Sequence, residues 1–220
     1  MRCVIFDLDG TLADTSRDLI ASANACFRDL GHGDMLDPVD DAATAFRGGR
    51  AMLRLGFSRL GTASSDEIDA QYPRLLAFYA DAIDVHTRLY PGAIEAVERL
   101  RAADYAVGIC TNKPEGLAET LMTRLGVREF FGSLVGADTL PVRKPDPAPF
   151  VAAVTRAGGD PKQALLIGDT VTDRETARAA GVPSILVTFG PEGRAVEALE
   201  PEALLDHYDA LDVIVTRLIG

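Results

Sequence analysis

Two aspartates, Asp7 and Asp9, stand two residues apart at the end of a short apolar run, in Asp7-Leu8-Asp9-Gly10-Thr11-Leu12-Ala13-Asp14. Like charges repel and burial desolvates them, so such a pair is costly to keep for structure alone. The cost is offset where a divalent cation and a phosphate oxygen share the site. Gly10 permits the sharp turn that leaves both carboxylates at one opening. Three further stretches carry groups of the same kind: Thr111-Asn112-Lys113-Pro114, Arg143-Lys144-Pro145-Asp146-Pro147 and Gly168-Asp169-Thr170-Val171-Thr172-Asp173. Each has a plain reading when taken alone. The first is a helix cap with proline in its first turn, the second a solvated lysine beside a proline turn, the third an ordinary turn with a first-turn acid. Placed together, the carboxylates of Asp7, Asp9, Asp169 and Asp173, the ammonium of Lys144 and the hydroxyl of Thr111 are a set suited to phosphoryl chemistry.

The elements that must position these groups follow from periodicity. Met1 to Phe6 reads as a buried strand. Helical spacing covers Leu19 to Leu30, with Thr15 or Ser16 as cap and Gly31-His32-Gly33 as stop. A weak helical stretch follows Leu36-Asp37-Pro38-Val39. Another helix spans Met52 to Leu60, and a further one, capped by Asp66, runs to about Asp84. Pro73 predicts a kink or a break in it. Beyond this all-helical stretch the pattern alternates. Strands are expected at Tyr105–Cys110, Ser133–Val135, Ala164–Ile167 and Ser184–Thr188. Helices are expected to start at Pro91, near Leu117, at Pro147 and at Thr172, with a last one around Leu211–Leu218. Alternation at this spacing specifies an α/β fold, a doubly wound, Rossmann-like parallel sheet covered by helices. The expected organisation is a core of residues 1–15 and 85–220, interrupted after the first strand by a small all-helical cap domain of residues 16–84. All four chemical stretches then fall at strand ends, where open α/β sheets bind ligands.

Composition narrows the function. The chain has 220 residues, 47% of them hydrophobic and 25% charged, as expected of a globular protein with a sizeable core. A formal net charge of -11 argues against nucleic acid or an anionic membrane as partner. Cys3, Cys26 and Cys110 are widely spaced in apolar segments and read as buried thiols of a reducing compartment. No apolar run approaches membrane-spanning length, and the first residues enter a strand directly. A cytoplasmic protein is expected, as monomer or homodimer.

In order and spacing, the four stretches resemble the signature motifs of the haloacid dehalogenase superfamily over nearly the whole chain. Thr111-Asn112-Lys113-Pro114, Tyr90-Pro91-Gly92 and Val135-Gly136-Ala137-Asp138 resemble its phosphoglycolate phosphatase subgroup. Thr15 and Arg174 depart from the usual pattern. The resemblance implies a Mg²⁺-dependent phosphatase of a small phosphorylated metabolite, with 2-phosphoglycolate as a candidate. Asp7 would be the nucleophile that forms an aspartyl-phosphate, and Asp9 the general acid and base. Asp7, the Asp9 backbone carbonyl and Asp169 would hold the metal, with Asp173 orienting the shell. Thr111, Asn112, Gly10 and Thr11 would bind phosphate, and Lys144 would balance the developing charge. In the cap, Gly48-Gly49-Arg50 resembles a substrate loop, so Arg50 is the first choice, ahead of Arg47 and Arg54, to meet a substrate carboxylate. A sugar phosphomutase or another small-molecule phosphatase shares this scaffold. A dehalogenase would not need Asp9, Asp169 and Asp173. A receiver-like signalling domain that accepts phosphate is the non-enzyme alternative.

Overall fold

The computed structural model describes all residues, 1–220. The chain divides into two compact units, Met1–Ala13 with Leu89–Gly220, and Asp14–Arg88. The elements in chain order are β1 (Cys3–Phe6), β2 (Ala13–Asp14), α1 (Ser16–Asp29), α2 (Ala42–Ala45), α3 (Gly49–Arg59), α4 (Ser65–Asp81), β3 (Arg88–Leu89), α5 (Ala93–Ala102), β4 (Ala106–Cys110), α6 (Glu115–Arg124), β5 (Ser133–Val135), α7 (Ala148–Arg156), β6 (Ala164–Gly168), α8 (Val171–Ala180), β7 (Ser184–Val187), β8 (Ala203–Leu205) and α9 (Leu211–Ile219). No helix is long and apolar enough to cross a membrane.

The first unit holds a six-stranded sheet in the order β5-β4-β1-β6-β7-β8, with every pairing parallel. β1 is central, and the chain adds β4 and β5 on one side of it and β6, β7 and β8 on the other. The order therefore reverses at β1, which is where a doubly wound sheet opens a ligand crevice. The strands are apolar on both faces, as a sheet covered on both sides requires. Cys3 and Ile5 join Phe150 and Val154 of α7 and Ala177 of α8 in one buried cluster. Phe6, on the other face by the alternation of a strand, meets Phe131 edge to face with ring centroids 6.3 Å apart.

β8 has no counterpart among the expected strands. It is three residues long and follows a 3₁₀ stretch, Gly193–Leu199, rather than a helix, so no strand–helix alternation marks it. It is fastened by Arg174, which the sequence marks as an oddity on α8. The guanidinium binds Glu202 at 2.7 Å and donates to the carbonyls of Leu199 and Glu200. Glu202 in turn accepts from the Ser184 amide of β7. The expected helix start at Pro91 lies two residues early. Gly92 is the N-cap, with φ of 79°, and the helix begins at Ala93.

The second unit is helical. Ile20, Ala23 and Phe27 of α1 pack with Met52, Leu53 and Phe57 of α3 and with Ile68 and Leu75 of α4. The loop after α1 is held by Asn24, whose amide donates to the Leu36 carbonyl and whose Oδ1 accepts from the Met35 and Leu36 amides. Asp41 takes both arms of Arg59, at 2.7 Å each.

Three local expectations are corrected in this unit. Thr15 is the N-cap residue of the first helix, as expected, but its side chain makes no capping bond. Asp14 Oδ1 accepts from the Ser16 amide at 3.0 Å, because a carboxylate two residues back reaches the free amides. The cap of α4 is Ser64 rather than Asp66, through a capping box with Glu67. Pro73 does not split α4, which runs unbroken from Ser65 to Asp81. Pro73 is exposed, so water can satisfy the carbonyl that it leaves without a donor.

Gly56 on α3 lies under the Phe27 ring, and a Cβ there would sit 2.2 Å from a ring carbon. Gly56→Ala is therefore expected to destabilise the protein by about 1–3 kcal/mol through overpacking, despite the better helix propensity of alanine. Chemical denaturation measures this, and an equal or higher midpoint would contradict the packing described.

Candidate active site

Register determines which loops meet. Phe6 pairs with Ile109 on one side and with Ile167 on the other. The Asp7 amide continues the ladder, donating to the Ile167 carbonyl at 2.8 Å. The turns after β1, β4 and β6 are thus brought level, and Asp7, Thr111 and Asp169 sit on one edge of the sheet.

Asp7, Asp169 and Asp173 are buried, and one carboxylate oxygen from each lies within 4.8 Å of the others. Lys144 is the ammonium among them. Its Nζ lies 2.6 Å from Asp173 Oδ1 and 3.0 Å from Asp7 Oδ1, with 2% of its side chain exposed. The loop that carries it is tied to the β4 turn by Asn112, whose amide donates to the Lys144 carbonyl at 2.9 Å. Asp173 is fully committed, since its Oδ2 accepts from the Thr170 hydroxyl at 2.7 Å and from the Thr170 and Asp169 amides. Asp169 is held through Oδ1 by the Thr11 hydroxyl at 2.9 Å. The Thr11 carbonyl accepts from the Tyr208 hydroxyl at 2.7 Å. Glycine is needed at two points of closest approach. Gly10 has φ of 83°, and a Cβ there would lie 2.3 Å from Asp169 Oδ2. A Cβ on Gly168 would lie 2.2 Å from Asp173 Cγ.

The electrostatics follow from burial and like charge. Burial pushes the Asp7 carboxyl up to about 6. Lys144 opposes that rise, and Asp173 and Asp9 add to it. Asp169 is lifted well above the usual carboxylate range by burial, then by Asp173 and Asp7. Burial would depress Lys144, but Asp173 and Asp7 together outweigh it and hold the ammonium charged. The thiol of Cys110 is raised to about 12 by burial and stays neutral.

Two buried oxygens, Asp7 Oδ1 and Asp169 Oδ2, accept no well-directed hydrogen bond, although Lys144 Nζ stands 3.0 Å from the first. Orphaned buried carboxylate oxygens imply a missing positive partner. The donors are hard oxygens in a tight cluster, which fits a small divalent cation such as Mg²⁺.

The predicted site residues divide by position. Asp7, Lys144, Asp169 and Asp173 converge, while Thr111 follows β4 on the same sheet edge, its Oγ1 accepting from the Lys113 amide. Gly10, Thr11 and Asn112 lie in the turns that hold them, with the Thr11 hydroxyl and the Asn112 amide turned to Asp169 and to the Lys144 loop. The Asp9 carboxylate is not among the clustered three. It binds Lys113, whose Nζ lies 2.7 Å from Oδ1 and 2.9 Å from Oδ2. The site therefore has two ammoniums, not one. Lys113 was legible as the only cation in the stretch after β4, two residues beyond Thr111, but its sequence neighbours suggested a cap. Arg50 belongs to the second unit, at the start of α3, where it pairs with Asp69 and lies over the Tyr72 ring at 4.5 Å.

Known proteins place this arrangement in a class. The profile of the haloacid dehalogenase-like hydrolases matches residues 4–187. The phosphoglycolate phosphatase of Mesorhizobium japonicum is 41% identical over 227 residues, covering 98% of this chain and 96% of that protein. That of Agrobacterium fabrum is 37% identical, covering 94% and 89%. A solved structure described as a predicted phosphoglycolate phosphatase from Haemophilus somnus superimposes with a TM-score of 0.85 at 26% identity, over 97% of both chains. This chain belongs to the haloacid dehalogenase-like hydrolase family. Within that family its sequence is similar to phosphoglycolate phosphatases over nearly its full length.

Lys144→Met would leave the Asp7 and Asp173 carboxylates buried without their cation. Removing one partner of such a pair is expected to cost about 3–5 kcal/mol. A carboxyl already raised to about 6 takes up a proton as the pH falls. The deficit relative to wild type should therefore shrink between about pH 8 and about pH 5, in the direction linkage requires for a raised carboxyl. Denaturation in EDTA at both pH values measures it, and a pH-independent deficit would contradict the assignment.

Proposed function

We propose that this protein is a Mg²⁺-dependent phosphomonoester hydrolase of a small phosphorylated metabolite, acting through an aspartyl-phosphate on Asp7. The leading substrate is 2-phosphoglycolate, on the similarity to phosphatases of that name. One observation carries the reading. At the reversal point of a parallel sheet, Asp7 and Asp169, clustered with Asp173 within 4.8 Å, each keep a buried carboxylate oxygen without a well-directed hydrogen bond, with Lys144 alongside.

An oxygen of Asp7 attacks phosphorus as the ester P–O bond breaks. Asp9 gives its proton to the departing alkoxide. In the second half, water attacks the same phosphorus, its proton passes to Asp9, and the bond to Asp7 breaks. Lys144 and the Thr111 hydroxyl face the charge that develops on the phosphoryl oxygens. Asp7 and Asp169, with the Asp9 backbone carbonyl, would hold Mg²⁺, and Asp173 fixes their loop. Bound there, the cation neutralises phosphoryl charge.

Inorganic phosphate release from a panel of phosphorylated metabolites tests this. Activity is expected with Mg²⁺ and to be lost in excess EDTA. Asp7→Asn should abolish turnover. Asp9→Asn should lower it by about 10²–10⁴-fold and, with an activated ester such as p-nitrophenyl phosphate, let a phosphoryl adduct accumulate. EDTA-resistant turnover, or near-normal turnover of Asp7→Asn, would overturn the reading.

Arg50 already pairs with one carboxylate, that of Asp69, at an exposed helix start. A substrate carboxylate could take that place. Arg50→Ala is expected to raise KM for 2-phosphoglycolate and to leave KM for p-nitrophenyl phosphate nearly unchanged. Equal losses on both would remove Arg50 from substrate selection.

A further inference from the structure

The second ammonium of the site, Lys113, has no part in the mechanism just given. Lys113 is buried, with 4% of its side chain exposed, and both oxygens of the Asp9 carboxylate lie within 2.9 Å of its Nζ. Its backbone is fixed at two points. The Lys113 amide donates to Thr111 Oγ1 at 3.1 Å, and its carbonyl accepts from the Ala137 amide at 2.9 Å. The β1–β4 register brings the turn of residues 7–9 beside the turn of residues 111–113, so the pair forms across adjacent strand ends. The division of labour is clear in the distances. Lys144 faces Asp7 and Asp173, while Lys113 faces Asp9.

We propose that Lys113 is the positioning residue for Asp9, holding its carboxyl in the one orientation that serves the leaving group and then the attacking water. The inference rests on the reading of Asp9 as general acid and base. An aspartate side chain has several rotamers, and proton transfer needs one of them within hydrogen-bond reach of the reacting oxygen. An ammonium with three donors on a rigid backbone selects it. Two simpler roles compete. Lys113 could bind the phosphoryl group directly, or the pair could only support the fold.

Leaving-group chemistry separates these roles. p-Nitrophenolate departs without a proton, whereas an alkoxide needs one. First-turnover release is therefore measured for p-nitrophenyl phosphate and for an alkyl phosphomonoester, in wild type, Lys113→Met, Asp9→Asn and the double variant, with Mg²⁺ present. Lys113→Met is expected to slow alkyl release by about tenfold or more, within the range of an acid–base contribution. It should change p-nitrophenol release by less than about threefold and slow the later release of phosphate, which needs Asp9 as base. In the Asp9→Asn background the same change should add almost nothing, since the two residues then act as one unit. Equal slowing of both first turnovers would overturn the proposal in favour of phosphoryl binding or the fold, and so would additive losses in the double variant. Should Lys113→Met fail to fold, Lys113→Arg retains the charge in a different geometry. It must then show the same selective loss on the alkyl ester, and its absence counts against the proposal. Failure here leaves the parent reading intact if Asp9→Asn is itself selective. An unselective Asp9→Asn would instead remove the role of Asp9, and active Asp7→Asn the mechanism as a whole.

Discussion

One buried ammonium permits the rest of the site. Lys144 lies 2.6 Å from Asp173 and 3.0 Å from Asp7, with almost no exposure to water. Without it, three carboxylates would converge in a medium that screens them poorly. A well-packed apolar cluster of the same volume would be the more stable choice. The protein keeps the charges, which is what a reacting site requires and a scaffold does not. Even so the compensation is incomplete, since burial holds Asp7 near 6 and Asp169 well above its usual range. The first unit is thus built around a deficit of positive charge that a cation would fill.

The sheet makes this arrangement possible at little local cost. β1 is bordered by β4 and β6 in matching register, so three turns end at one level. Each turn needs only one or two chemical side chains. The neighbouring residues act as braces: Thr11 on Asp169, Asn112 on the Lys144 loop, Thr170 on Asp173 and Tyr208 on the Thr11 carbonyl. Rigid strands and braced turns hold the groups before any ligand arrives, which is the condition for electrostatic catalysis.

Much of this was legible in the sequence because strands and helices here have distinct periods. The buried runs around Val4, Ile109 and Leu166 and the spacing of Ile20, Ala23 and Phe27 specify an α/β sheet and a helical insertion. Chemical side chains at strand ends then specify an edge. What was not legible depends on contacts distant in sequence. Nothing near Lys113 reveals that its partner lies at position 9. Arg174 looks misplaced on its helix until Glu202 and the short β8 are seen beside it. Pro73 reads as a helix breaker because sequence does not say that the affected turn faces water. Thr15 takes the N-cap position, but Asp14 supplies the accepting oxygen, a competition that residue type alone cannot rank.

Asp18 has a consequence of a different kind. Buried on α1, it accepts from the His86 amide at 3.0 Å and from the Thr87 amide and hydroxyl at 2.8 Å. One carboxylate near the start of the inserted unit thereby grips the chain near its end. An insertion whose two ends are clasped together behaves, for its host, as a short loop whatever its length. Such a module can be lengthened, remodelled or exchanged between relatives without reopening the register of β1. Change within the helical unit is thus uncoupled, by hydrogen bonding between its two ends, from the sheet edge.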